Sequence, residues 1–281
     1  MSQTEPLQHN ENSVPIFSFA DAELGPISNA CIRLIEKLTG QPLIKKIYLD
    51  YVEEDRPDQY FWQDALKRLK LTLVVKKEPN ADIPKTGRLL IIANHPFGVI
   101  DGLALCAMVS AVRQDYRIIT HRVLRQAPAV MNNILPIDFD EDEKALRNNL
   151  QTRRDAMKHL KDDGVVIIFP AGAISLAPHF VDKAIDTEWK TFVGKMASVP
   201  DTTILPFHFE GRNSFMFQIA RRISQTLGYA LMFREIKKRM GSTLPVTMRQ
   251  PISSNDLQHL NDRSEVTDYL RQKTYGAKNE N

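Results

Sequence analysis

The chain has 281 residues, enough for one large or two small domains with a full core. Hydrophobic residues make up 43% and charged residues 25%, the balance of an ordinary soluble globular protein, and a formal net charge of +3 does not imply a nucleic-acid partner. The polar start, MSQTEPLQHNEN, has no apolar core of a signal peptide. The longest apolar stretch, Val99 to Val112, is interrupted by Asp101 and is too short to span a bilayer, so a cytoplasmic protein is expected. Cys31 and Cys106 are the two cysteines, each among apolar neighbours, which suits two buried thiols in a reducing compartment better than a disulfide.

Residues 1–14 are polar without periodicity and read as a disordered tail. Residues 15–70 read as a helical lead-in packed on the domain that follows. Ile27, Cys31, Leu34, Ile35 and Leu38 recur at helical spacing, and Gly40 can stop that helix. Ile44, Ile47, Tyr48 and Tyr51 mark a second helix, and Phe61, Trp62, Ala65, Leu66 and Leu69 a third after Pro57. From residue 71 to 275 strands and helices alternate. LTLVV, RLLIIA, YRIIT, GVVIIF, TILPFHF and PVTM read as strands, with ILPI as a further one. Helical patterns cover Asp101–Val112, Glu143–Lys161, Thr187–Ala197, Asn213–Lys238 and Ser254–Arg271. The alternation predicts an α/β fold whose mixed, mostly parallel sheet is flanked by helices.

In such a sheet chemistry gathers at the carboxyl ends of the strands. RLLIIA ends at Ala93, so Asn94 and His95 project there, Pro96 and Gly98 make a turn, and a helix starts near Asp101. A neutral imidazole beside a helix N-terminus and oriented by Asp101 is what a general base requires. A structural turn with Asp101 as a helix cap fits the same residues equally well. Two further strand ends tip the balance. VVIIFPAGAIS again runs from a strand into Pro170, Gly172 and Ser175, and ILPFHFEGRNS ends a strand with Gly211 and Arg212. Three strand ends with turn glycines and polar groups can converge on one site.

In this order the segments resemble the glycerophospholipid acyltransferase family, whose founding activity acylates lysophosphatidic acid. NHPFGVID resembles its first motif, FPAGAIS its third and ILPFHFEG its fourth, while NNILPIDFD occupies the place of the second. The first motif together with GRNS is closest to the soluble, hemolysin-like and lipid-amine acyltransferase branch. The resemblance covers roughly residues 65–250 and implies a glycerolipid acyltransferase-like fold over residues 71–275. It also implies direct acyl transfer from acyl-CoA or acyl-carrier protein, with no cofactor beyond that donor, to a lysophospholipid or related lipid-precursor acceptor. His95 would take the acceptor's proton, Asp101 would hold the ring, and N–H groups near Gly98 or Gly172 would bind the oxyanion. Asn94, Gly98, Arg122, Phe169, Pro170, Gly172, Ser175 and Arg212 make up the expected substrate-binding set. Alternatives are an N-acyltransferase making a lyso-aminolipid, and a catalytically silent lipid-binding or scaffold protein.

Two features depart from the family pattern. Five residues rather than the usual four separate His95 from Asp101, so the turn must bulge. Ala171 and Ile174 stand where the family carries Glu and Arg, which argues for an acceptor unlike that of the founding enzyme. The remaining histidines have no metal-ligand spacing, and Ser175 with His208 and Asp138 lacks the nucleophile elbow of a hydrolase. The basic, amphipathic stretch 214–241 suits a helix packed on the sheet. Its end at Arg234–Arg239 suits peripheral contact with an anionic membrane.

Overall fold

The computed structural model describes residues 18–20, 25–138, 142–179 and 182–276, apart from the side chains of Arg125 and Gln126. The expected tail over residues 1–14 lies outside these. Three helices, α1 (Pro26–Thr39), α2 (Gln41–Glu53) and α3 (Phe61–Arg68), precede the first strand. Then follow β1 (Thr72–Lys77), β2 (Leu89–Ala93), α4 (Val99–Ser110), β3 (Tyr116–His121), β4 (Ile134–Ile137), α5 (Glu143–Lys161) and β5 (Val165–Ile168). The chain continues through α6 (Phe192–Ala197), β6 (Thr203–Phe209), α7 (Phe215–Ile223), α8 (Gln225–Ala230), α9 (Met232–Arg239), β7 (Thr243–Met248), β8 (Ile252–Ser253) and α10 (Arg263–Tyr275).

The eight strands form one sheet in the order β1-β7-β6-β2-β5-β3-β4, with β8 beside β6. β6, β2, β5, β3 and β4 are mutually parallel, whereas β7 and β8 pair antiparallel with β6, and β1 follows β7. The sheet is therefore mixed and mostly parallel, as the sequence pattern predicts. Every residue of β2 and β5 is buried, which is why both read as unbroken apolar runs. Leu89, Ile91, Val165, Ile167, Leu205 and Phe207 pack on one face of the sheet, and Leu90, Ile92, Val166, Ile168 and Ile204 on the other. The second face is covered by α5, α6 and α10 through Leu160, Met196 and Leu270.

Several helix boundaries differ from the sequence pattern, each for a local reason. The helix expected over 213–238 is broken at Ser224, whose backbone is extended and whose hydroxyl accepts from the Leu227 N–H to start α8. The helix expected from Ser254 forms a short 3-10 turn over Ser254–Leu257, and α10 starts at Arg263, where Asp262 caps it by accepting the N–H groups of Ser264 and Glu265. α6 starts at Phe192 rather than Thr187, since the preceding loop is drawn to Asp186 and the Lys190 N–H donates to the Pro170 carbonyl.

α1 turns a different face inward than its apolar spacing suggests. Ile27, Leu34 and Leu38 are 80%, 56% and 75% exposed, while Ile32 and Glu36 are buried. The reason is polar: the Glu36 carboxylate accepts from the Ser18 hydroxyl at 2.6 Å and the Phe19 N–H at 2.7 Å, which fixes the inward face. Cys31 is accordingly exposed, contrary to the expectation of two buried thiols. Cys106 is buried and its thiol pKa is pushed up by that burial.

His208 on β6 makes a stability prediction. Burial, seconded by the nearby Arg249 cation, lowers its pKa from 6.5 to about 4. Since the folded chain then binds the proton less readily than the unfolded chain, this contribution is complete above pH 6.5 and is lost as pH falls toward 4. Over that interval the wild type should lose up to about 3 kcal/mol more than His208→Phe in denaturant titrations at neutral and acid pH.

Candidate active site

β2 ends at the middle of the sheet, and the chain there turns through Asn94-His95-Pro96-Phe97-Gly98 into α4. Gly98 sits at φ +70°, a left-handed conformation that favours glycine. A Cβ there would also lie 2.9 Å from Ile174 Cδ1 and 3.0 Å from the Met232 sulfur, so a larger residue would have to push those side-chain ends aside as well as adopt the strained backbone. The turn accommodates the extra residue between His95 and Asp101: the imidazole Nδ1 lies 3.1 Å from Asp101 Oδ2 in a bent approach. The same oxygen accepts the N–H groups of Phe97 at 2.8 Å and Gly98 at 3.1 Å. Asp101 thus caps α4 and faces the imidazole at once, so the two readings of this motif describe one carboxylate. Its burial raises its pKa, while the His95 contact, the Phe97 N–H and the Arg239 cation pull the other way.

The Phe169 ring stacks on the imidazole with centroids 3.9 Å apart. With Nδ1 turned to Asp101, Nε2 is the nitrogen left to a substrate. His95, Gly98, Phe169, Pro170 and Gly172 all border a cavity of about 160 Å³ at the carboxyl end of the parallel strands. A mainly apolar cavity of about 120 Å³ adjoins it beneath α2 and α3, and the two share Phe19, Val99, Val123, Leu124 and Met232 as walls.

Other expected residues face elsewhere. Asn94 is buried, and its amide bonds the backbone of one residue: it donates to the Phe209 carbonyl at 2.9 Å and accepts the Phe209 N–H at 2.7 Å. It ties the end of β2 to that of β6 instead of facing the cavity. Ser175 is fully buried and donates its hydroxyl to Asp186. Arg122 pairs with Asp138 at 3.3 Å, and Arg212 donates to the Asp182 carbonyl at 2.9 Å and borders a separate cavity. Neither arginine borders the His95 cavity, because each follows a strand end whose next turn carries it sideways. The N–H groups expected for an oxyanion are also engaged, Gly98 with Asp101 and Gly172 with the Phe169 carbonyl at 3.0 Å.

Two groups were not foreseen. Asp186 is 3% exposed, accepts the His95 N–H at 3.2 Å and the Trp189 indole N–H at 2.8 Å, and so fixes the backbone beneath the imidazole. Asn149, Thr152 and Arg153 of α5, with Lys190, form the polar wall of the cavity. The only sequence signal of the three α5 residues is their i, i+3, i+4 spacing.

The family model described as Acyltransferase matches residues 50–281. The chain belongs to this acyltransferase family. The chain is 28% identical over 183 residues to a lyso-glycine lipid O-acyltransferase of Phocaeicola vulgatus, the match covering 61% of each chain. It is 26% identical over 224 residues to a lyso-glycine lipid O-acyltransferase of Bacteroides thetaiotaomicron, covering 76% of this chain and 78% of that one. The chain thus spans less than two thirds of the first relative's length and more than two thirds of the second's. In fold the chain is similar to PlsC, the 1-acyl-sn-glycerophosphate acyltransferase of Thermotoga maritima. The TM-score is 0.50 at 18% identity, covering 89% of this chain and 87% of the other.

Proposed function

We propose that this acyltransferase moves a fatty acyl group from a thioester, acyl-CoA or acyl-carrier protein, onto the hydroxyl of a lysolipid. The observation that carries the proposal is the His95–Asp101 pair at 3.1 Å, opening on a cavity that continues into an apolar compartment. His95 Nε2 takes the proton of the acceptor hydroxyl as its oxygen attacks the thioester carbonyl. Asp101 stabilises the imidazolium that forms, and collapse of the tetrahedral intermediate expels the thiolate, which takes the proton from the His95 imidazolium and leaves as the thiol. Ala173, next to Gly172 on the cavity wall, is our candidate for donating its N–H to the oxyanion. The acyl chain lies in the compartment bordered by Ile44, Ile47, Leu103 and Ile236.

Arg153 and Lys190 place positive charge in the cavity from α5 and from the loop before α6, not from the motif positions that Ala171 and Ile174 occupy. With the family's arginine position held by Ile174, a lyso-aminolipid acceptor is preferred to a phosphate monoester, and the names of the two relatives support it. In competition for one acyl donor, a lyso-glycine lipid should therefore exceed lysophosphatidic acid in kcat/KM. A clear advantage for lysophosphatidic acid would overturn this choice of acceptor. N-acylation by the same dyad is the second reading, and the same panel, extended to free amines, tests it.

We infer that the chain meets its lipid substrates at a membrane surface. No helix among the described residues is long and apolar enough to cross a membrane. Instead Ile27, Leu34 and Leu38 form an exposed apolar stripe on α1, with Arg33 and Lys37 exposed beside it. The basic end of α9 contributes less than its sequence suggests, because Arg234 pairs with Glu235 and Arg239 lies over the Phe97 ring. Leu34→Glu with Leu38→Glu should thus weaken sedimentation with anionic vesicles more than Lys237→Glu does. The reverse ranking would put the contact on α9.

A further inference from the structure

Asp186, whose carboxylate accepts the His95 N–H, is itself held from the far end of the chain. It lies in the loop between β5 and α6, just after the isolated bridge of Leu176 and Ile185. Both of its backbone groups are met by side chains of α10. Its N–H donates to the Tyr275 hydroxyl at 2.8 Å, and its carbonyl accepts from Arg271 at 2.8 Å. Arg271 and Tyr275 are four positions apart, so they leave the same face of the helix. The end of α10 is fixed in turn by Arg249. That guanidinium donates to the carbonyls of Thr274 at 3.1 Å and Tyr275 at 2.9 Å, and to Glu78 at 2.7 Å. On its other side Asp186 belongs to a closed ring of hydrogen bonds around the His95 backbone. Its carboxylate accepts the His95 N–H at 3.2 Å and also the Ser175 hydroxyl, while the Ser175 N–H donates to the His95 carbonyl at 2.9 Å.

We propose that Tyr275 and Arg271 are positioning residues for His95, acting through the backbone of Asp186. Neither borders the His95 cavity, so neither reaches substrate. What they set is the place of the Asp186 carboxylate, and through it the peptide from which the imidazole projects. The imidazole meets Asp101 at 3.1 Å in a bent approach, a contact with little tolerance for a shift of that peptide. Removing the Tyr275 hydroxyl leaves the buried Asp186 N–H without its acceptor. The loop then moves to find another, and the carboxylate moves with it. A displacement of a fraction of an ångström at the base is enough to slow proton transfer. The kinetic consequence rests on the reading of His95 as general base, whereas the positioning itself does not.

The test uses the full chain and reads both turnover and the imidazole itself. Tyr275→Phe keeps the ring, including its edge contact with His208 at 5.3 Å, and removes only the hydroxyl. It should lower kcat about tenfold and leave the KM of donor and acceptor within about twofold. Arg271→Met should act in the same direction. Val266→Ala, a buried position of α10 away from Asp186, is the control: it should lower Tm by opening a cavity and keep the wild-type kcat at temperatures where it is folded. Combined with Asp186→Asn, the loss from Tyr275→Phe should be less than additive, because both act on the same link to His95. In chains labelled with 15N-histidine, the imidazole resonances of His95, assigned by their absence in His95→Gln, should move in Tyr275→Phe and stay in Val266→Ala. An unchanged kcat in Tyr275→Phe, or an unmoved His95 resonance, overturns the proposal. A moved resonance in a protein whose His95→Ala variant still turns over normally would keep the positioning and remove the catalytic reading instead.

Discussion

Replacing His95 by alanine should lower kcat by about 10²–10⁴-fold while leaving the unfolding midpoint close to that of the wild type. The imidazole borders a cavity, and its side chain contributes only a stacking contact with Phe169 and the bent contact with Asp101. The fold therefore has little to lose. Asp101→Asn should cost less in kcat, because an amide oxygen can still accept the Phe97 and Gly98 N–H groups that hold the turn. What it loses is the charge that stabilises the imidazolium. The ordering His95→Ala below Asp101→Asn below wild type is the expected result in steady-state assays. An Asp101→Asn enzyme as inactive as His95→Ala would show that the carboxylate does more than orient and stabilise.

The second large effect belongs to Asp186, and it should appear in stability as much as in turnover. The Asp186 carboxylate serves the Ser175 hydroxyl, the Trp189 indole and the His95 N–H in a site closed to water. Alanine there leaves three buried donors without an acceptor. The expected loss is roughly 3–5 kcal/mol in denaturant unfolding, the range for removing one partner from a buried charged network. Activity should fall at temperatures where the variant is still folded, since the peptide beneath the imidazole loses its anchor. Asp186→Asn keeps one acceptor oxygen and should fall between the two. A variant as stable as the wild type would mean that the Ser175 and Trp189 donors find other partners.

The difference between these two carboxylates shows what the sequence reveals. Asp101 is legible because its partner is local: the strand, the turn and the helix that bring it to His95 are continuous in the chain and each carries its own pattern. Strands β2, β5 and β6 are legible for the same reason, as buried apolar runs ending in turn residues. Asp186 reaches His95 from 91 positions away, out of a loop with no periodicity, and nothing local marks it. Asn94, Arg122 and Arg212 show the opposite failure. Their position after strand ends is local and legible, but the direction of their side chains is set by Phe209, Asp138 and Asp182. In α1 the apolar spacing is a faithful guide to a helix but not to its buried face, because one buried carboxylate, Glu36, outweighs an apolar stripe in choosing it.

The central claim is a direct transfer from donor to acceptor, assisted by His95 and without an acyl-enzyme. Its most direct test follows thiol release from an acyl thioester alongside ester formation and the intact mass of the protein, with and without lyso-glycine lipid. One thiol released per ester formed, only when acceptor is present and with the protein mass unchanged, is the predicted result. Thiol release at the same rate without acceptor, or an acyl adduct on the protein, would contradict it.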